Sequence, residues 1–211
     1  RDSRIDVRQS PNPWFTGDHV QTIVVDNETA FTVGMNNARE YRFDWHDLMM
    51  EVRGPVVEIM RHEFDKASAH AGFFGDYGYF LRRMMPVPKD AEDSGYPVRV
   101  LFTRVDDPEI FRVQREAIRN SKRYIYVENA YFTDDAMLYE LVKARRRGVD
   151  VRVIMPLVTD RGPITRNNVL AANVMLEHGI RVFVYPGMSH VKAAVFDGWA
   201  SLGSANWDKW S

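Results

Sequence analysis

The chain lacks cysteine in all of its 211 residues, which excludes disulfides and thiolate metal sites and leaves the compartment open. It lacks a charge of one sign. Lys and Arg number 28 against 29 Asp and Glu, a formal net charge of −1, so no global field favours nucleic acid. It also lacks any apolar run near the roughly eighteen residues of a membrane span, and no signal-peptide pattern is visible. What is present is a hydrophobic content of 45%, enough to build a core for one large domain or two small ones.

The densest chemistry lies near the C-terminus, in His190-Val-Lys192 … Asp197 … Gly203-Ser204-Ala-Asn206. A histidine, a lysine, a hydroxyl and an amide, the side-chain types that attack and hold phosphate, fall within one short stretch. An imperfect copy lies upstream: His19-Val-Gln21 … Asp26 … Gly34-Met-Asn36. Histidine and aspartate are seven positions apart in both copies. Histidine and asparagine are seventeen apart in the first and sixteen in the second. Short apolar runs, Ile23-Val24-Val25 and Ala193-Ala194-Val195-Phe196, precede the aspartates and read as buried strands. Strand alternation puts His190, Lys192 and Ala194 on one face, and His19 with Gln21 on one face. Two copies with matching roles indicate an internal repeat and a two-histidine phosphodiester site.

The rest of the chain reads as alternating elements. Residues 20–25 and 30–33 form a hairpin pair and 48–53 a third strand. Gly54-Pro55 opens a helix with Val56, Met60 and Phe64 toward the core. Residues 68–97, with Gly72-Phe73-Phe74-Gly75-Asp76-Tyr77-Gly78-Tyr79, read as an irregular connection. Strands follow at 98–102, 124–127, 149–155 and 180–185, with helices at 108–120, 135–147 and 167–178. Two final strands belong to the second motif. This alternation implies a largely parallel sheet flanked by helices.

The second motif resembles the phospholipase D superfamily signature, H-x-K-x4-D-x6-G-S-x-N. Here five residues, not six, separate Asp197 from Gly203, which reads as a hairpin one residue shorter near Gly198. The first motif departs further. Gln21 stands where the family has Lys, and Val33-Gly34 where it has Gly-Ser. Tyr126-Val-Glu-Asn-Ala-Tyr-Phe132, Val151-Arg-Val-Ile-Met-Pro156 and Gly203-Ser-Ala-Asn-Trp-Asp208 are similar to segments of bacterial cardiolipin synthase-like members. The resemblance spans nearly the whole chain. It implies an α/β phospholipase D-like fold of two pseudo-repeated lobes with mixed, largely parallel sheets and the active site between the lobes. Residues 1–85 would belong to the first lobe and connector, and 86–211 to the second. The chain begins shortly before the first motif and ends five residues after Asn206, which reads as truncation at both ends.

A phosphodiester repels nucleophiles and needs a proton for its leaving group. Imidazole, with an ordinary pKa near about 6.5, supplies both functions near neutral pH. One histidine attacks phosphorus to give a phosphohistidine, and the other protonates the departing oxygen. Lys192 would hold the phosphate as a point charge, with Gln21, Asn36, Ser204 and Asn206 donating hydrogen bonds. The resemblance implies His19 as nucleophile and His190 as acid, although the lysine beside His190 leaves the reverse assignment open. It also implies an orienting acid eleven positions past the motif asparagine. That is Asp47 in the first half and a position past Ser211 in the second. Glu128, Asn129, Tyr131 and Asp160 follow strand ends, where parallel sheets carry ligands, and are candidate pocket residues. Asp26 and Asp197 read as turn-fixing groups, and Arg145–Arg147 as a solvated helix end. His46, His62, His70 and His178 read as structural. The chemistry requires no metal or other cofactor.

The leading function is a phospholipase D-like phosphatidyltransferase or phospholipid hydrolase, with a phospholipid or other phosphodiester as substrate and peripheral membrane contact. A nucleic-acid phosphodiesterase is second, disfavoured by the near-zero charge. A phosphate- or lipid-head-group-binding module with a decayed first motif is third.

Overall fold

The computed structural model describes residues 7, 20–35, 38–70, 95–103 and 107–208. His19, Asn36, the aromatic stretch 72–79 and the expected lobe boundary at residue 85 lie outside them. Three short strands, β1 (Thr22–Val25), β2 (Thr29–Val33) and β3 (Met49–Arg53), form one sheet in sequence order. Asp26 and Asn27 turn the β1–β2 hairpin with positive φ angles of 53° and 58°. Glu28 N–H closes the turn on the Val25 carbonyl at 3.1 Å. The short polar side chains of Asp and Asn tolerate this backbone region.

The chain divides into two compact units. The first takes residues 22–31, 51–70 and 95–100 of the described chain. Its core is small: Val56, Val57 and Met60 of helix α2 (Val56–His70) pack with Ala30, and Val24, Val52 and Val100 surround them. Phe64 was expected in this core and instead is 56% exposed. At 3.6 residues per turn, a residue eight positions past Val56 has rotated by about 80° off its stripe. Helix α2 also continues to His70, into residues read from sequence as irregular.

The second unit takes residues 20–21, 32–35, 38–50, 101–103 and 107–208 of the described chain. It holds a short helix α1 (Arg39–Phe43) that sequence patterning did not anticipate. It also holds helices α3 (Glu109–Asn120), α4 (Asp135–Arg146) and α5 (Gly162–Glu177). Its sheet contains β4 (Tyr124–Asn129), β5 (Asp150–Pro156), β6 (Arg181–Tyr185), β7 (Lys192–Phe196) and β8 (Trp199–Leu202) in the order β6-β5-β4-β7-β8. β4, β5 and β6 run parallel, while β7 runs antiparallel to β4 and β8. Ile125, Val127, Val151, Val153, Met155 and Ala194 bury one side chain in two along their strands and meet Ile118, Met137, Leu141 and Met175 from the helices. This is the mixed α/β layering that the alternation predicts.

Two expectations fail here. Residues 98–102 form no strand. Thr103 makes an isolated bridge with Pro108, and Phe102 N–H donates to the Glu109 carboxylate at 3.3 Å. Local partners thus take up backbone groups that a sheet neighbour would otherwise satisfy. Helix α5 starts at Gly162 rather than at 167, because Pro163 sits in its first turn, where a missing N–H costs nothing.

The short second-motif hairpin is a two-residue turn. Phe196 pairs with Trp199, and Asp197 and Gly198 take φ of 49° and 101°, the double positive φ of a type I′ turn. The Asp197 carboxylate accepts backbone N–H bonds from Lys122, Arg123 and Tyr124 at 2.7, 3.0 and 2.8 Å. These bonds, that of Lys122 foremost, hold it below its ordinary carboxylate range. Asp197 thus fastens the hairpin to the start of β4, the structural role expected of it.

Candidate active site

All the geometry below lies within the second unit. Antiparallel pairing sets Lys192, the first residue of β7, opposite Asn129, the last of β4. His190 precedes Lys192 by two and shares its side of the extended chain. The first-motif half reaches this place through backbone pairing. His46 N–H donates to the Met188 carbonyl at 3.0 Å, and His190 N–H donates to the His46 carbonyl at 2.7 Å. His46 and Ser189 form a parallel bridge. The next residues in each segment, Asp47 and His190, therefore meet on one side of it.

His190 Nδ1 lies 2.9 Å from Asp47 Oδ2, with both side chains buried to 10% exposure or less. This contact engages Nδ1 and leaves Nε2 as the ring nitrogen turned away from the carboxylate. Asp47 Oδ1 accepts the Leu48 N–H at 2.8 Å, which fixes the carboxylate. The sequence left the His190 orienting acid beyond Ser211, and the structure supplies it from the first half. The imidazole is walled by Tyr41, edge-on at 5.1 Å, and Trp45 at 5.5 Å. Tyr41 lies within the short helix α1 and Trp45 just past its end, and neither was flagged by motif reading. Their only sequence signal is two aromatics four apart, which pack together at 4.4 Å.

Lys192 is 6% exposed and its Nζ donates to the His190 carbonyl at 2.6 Å. Burial pushes the ammonium down to about 7, against the pull of the Asp47, Asp160 and Asp208 carboxylates. Near neutral pH the free site thus holds a lysine ready to take a proton when an anion arrives. The loop after β8 closes over this strand end. Gly203 N–H donates to the Lys192 carbonyl at 3.2 Å, and Trp207 N–H to Asn129 Oδ1 at 3.3 Å. Between them Ser204 is partly buried and Asn206 buried. Gln21 is partly buried just before β1.

The four pocket candidates separate into distinct roles. Tyr131 donates its hydroxyl to Asp160 Oδ1 at 2.6 Å. Burial first, and this bond second, push the phenol above its ordinary range, so it stays a neutral donor. Asn129 is 1% exposed and fastens backbone: its Oδ1 also accepts Tyr131 N–H at 3.2 Å. Glu128 accepts the Ser189 hydroxyl at 2.6 Å, with His46 Nε2 at 3.6 Å. That cluster belongs to the His46–Ser189 side of the bridge, away from the Asp47–His190 contact. A residue missed by motif reading supports the whole edge. The fully buried Asn168 amide of α5 bonds the Ala130 and Pro156 carbonyls at 2.9 Å each and the Phe132 N–H at 2.9 Å. Its signal was an asparagine on the buried stripe of a helix. Among the described residues no three His, Asp or Glu side chains converge as a metal-ligand set, and no helix is long and apolar enough to cross a membrane.

Known proteins resemble this chain. A family model described as "Cardiolipin synthase, PLD-like domain" matches residues 114–211, the region of β4–β8 and the second motif. This half of the chain is phospholipase D-like. Cardiolipin synthase A of Pseudomonas putida (strain W619) is 30% identical over 90% of this chain and 41% of its own length. Cardiolipin synthase of Listeria monocytogenes (serotype 4a, strain HCC23) shows the same identity and coverage. The chain thus spans about two fifths of these curated relatives. Phosphatidylserine synthase of Haemophilus influenzae, solved by crystallography, superposes over 85% of this chain and 51% of its own with a TM-score of 0.51 at 12% identity. That likeness shows the fold alone.

Proposed function

We propose that the chain carries the site of a phospholipase D-type phosphatidyltransferase that acts on phospholipids through a phosphohistidine. The observation that carries this reading is the His190 imidazole, held at Nδ1 by the buried Asp47 carboxylate at 2.9 Å, beside the buried Lys192. In the first half-reaction Nε2 of one histidine attacks phosphorus. The bond to the head-group oxygen breaks, and that oxygen takes a proton from the other histidine. In the second half-reaction an alcohol gives its proton to that histidine, its oxygen bonds phosphorus, and the phosphorus–nitrogen bond breaks. His19 and His190 fill these two positions. Lys192 as ammonium, with Gln21, Asn36, Ser204 and Asn206, neutralises and holds the phosphate oxygens. Charge developing on those oxygens would meet donors, Lys192 foremost, whose hold on it needs no rearrangement of the buried strand end. Tyr131 and Asp160 are the side chains we assign to the rim that meets the head group or acceptor. The relatives' printed names support a phospholipid substrate, and the net charge of −1 favours it over nucleic acid.

The test is release of head group from mixed phospholipid vesicles, with and without glycerol, using the chain and its His190→Ala variant, beside a single-stranded DNA reaction. Histidine-dependent release, diverted by glycerol into a new lipid, is the expected result. Inert lipid with degraded DNA would move the assignment to a nuclease. Absence of His190-dependent turnover on both would leave a binding module as the better account.

A further inference from the structure

Gly34 stands in the first motif where the superfamily signature has serine, a position whose loss looks like decay of a phosphate-binding hydroxyl. Its surroundings give it another role. A Cβ built on Gly34 would lie 2.9 Å from Asp47 Oδ1, 3.4 Å from the His190 carbonyl oxygen and 3.4 Å from Lys192 Cδ. The three nearest neighbours thus belong to the three residues at the centre of the candidate site. The first distance is shorter than carbon and oxygen sustain without displacement, and Asp47 has little freedom to retreat. Its Oδ1 is held by Leu48 N–H at 2.8 Å and its Oδ2 faces His190 Nδ1 at 2.9 Å. The His190 carbonyl is fixed as well, as the acceptor of Lys192 Nζ at 2.6 Å. A glycine here is therefore required by close approach rather than by backbone conformation.

We infer that Gly34 is a positioning residue: the side chain it lacks leaves the space in which the Asp47 carboxylate reaches and orients His190. The first-motif segment then serves the second-motif histidine through Asp47 and through the room beside it. Restoring the signature serine at position 34 would add a hydroxyl and yet displace the orienting acid. Gly34→Ser, and Gly34→Ala, which adds only the Cβ, are expected to lower kcat by about ten- to a hundredfold, as misplacement of a reacting group by an ångström does, with KM nearly unchanged.

This inference rests on the phosphodiester reading for its rate arm and is independent of it for a second arm. In the first, kcat for vesicle head-group release is measured for Gly34→Ala, Gly34→Ser, Asp47→Asn and the Gly34→Ala/Asp47→Asn double variant, with Gly162→Ala as control because a Cβ there meets nothing within 4 Å. If Gly34 acts through Asp47, the double variant is no slower than Asp47→Asn alone. In the second arm, ¹⁵N chemical shifts of the His190 ring report its tautomer without any substrate. Both Gly34 variants are expected to move these shifts in the direction that Asp47→Asn moves them. Unchanged ring shifts, or losses that multiply in the double variant, would overturn the inference. So would failure of both Gly34 variants to fold, since a positioning role leaves the fold standing. A wild-type chain inert on lipid would sink the phosphatidyltransferase reading and leave the ring-shift test intact.

Discussion

At the scale of single residues, two side chains set how the candidate site responds to change. Lys192 is pushed down to about 7 in the folded chain from an ordinary 10.5. Between those values the unfolded chain binds more protons than the folded one, so stability rises with pH across that window. The penalty for the buried ammonium is fully present below about 7 and gone above 10.5. Urea midpoints measured from pH 6 to 10 should therefore rise for the wild type relative to Lys192→Met, and parallel curves would contradict the burial. For activity the sign is opposite. If Lys192 holds phosphate as proposed, kcat/KM is expected to fall as pH rises through about 7, and Lys192→Arg, which stays charged, to carry that limb upward. Gln21 is the other side chain. A neutral amide in place of an ammonium forfeits a charge-assisted bond worth about 1.5–3 kcal/mol, or roughly ten- to a few-hundredfold in rate. Gln21→Lys is expected to raise head-group turnover, and an unchanged rate would remove this side chain from phosphate contact.

At the scale of elements, the site edge is assembled by fasteners rather than by the strands alone. Asn168 ties the end of β4 and the end of β5 to helix α5 through three bonds of 2.9 Å. Asn129 ties β4 to the loop after β8. Replacing Asn168 with leucine leaves two carbonyls and one N–H buried without a partner, each such group costing about 1–3 kcal/mol. Some relaxation is expected, so we predict a net loss of about 2–4 kcal/mol by urea denaturation at constant m-value. A loss under about 1 kcal/mol would mean that the strand ends find other partners. The same elements show what patterning reads well. The period-two runs of β4, β5 and β7, the Arg-rich end of α4 and the Asp197-Gly198 turn were legible, because each is encoded by neighbours in sequence. The expected strand at 98–102 failed because alternation without a pairing partner does not make a strand. Helix α1 escaped notice because five residues are too few for a helical period to register.

At the scale of the molecule, positive and negative side chains nearly cancel, with 28 Lys and Arg against 29 Asp and Glu. A groove that neutralises several phosphates of nucleic acid loses about a thousandfold in affinity or more between 50 and 200 mM salt. Head-group release from zwitterionic vesicles by this chain is expected to change by less than about threefold over that range, since no such counterion release is involved. A steep salt dependence of DNA binding would revive the nuclease account. The chain spans 41% of the length of its curated relatives, so these measurements address the site it carries.

The sequence by itself carried the phospholipase D resemblance, the mixed α/β architecture and the pattern of the second motif. Motif spacing and strand alternation are local properties that survive without knowledge of the fold. It did not determine which acid serves His190. Asp47 and His190 lie 143 residues apart, and a single backbone bridge between His46 and Ser189 brings them together. Nothing in the local pattern of either segment encodes that bridge. The same holds for Gly34, which reads as a missing hydroxyl in one dimension and as occupied space in three. Contacts of this kind are decided only when the packed chain closes distances that periodicity cannot see, and the orientation of the His190 imidazole is set there.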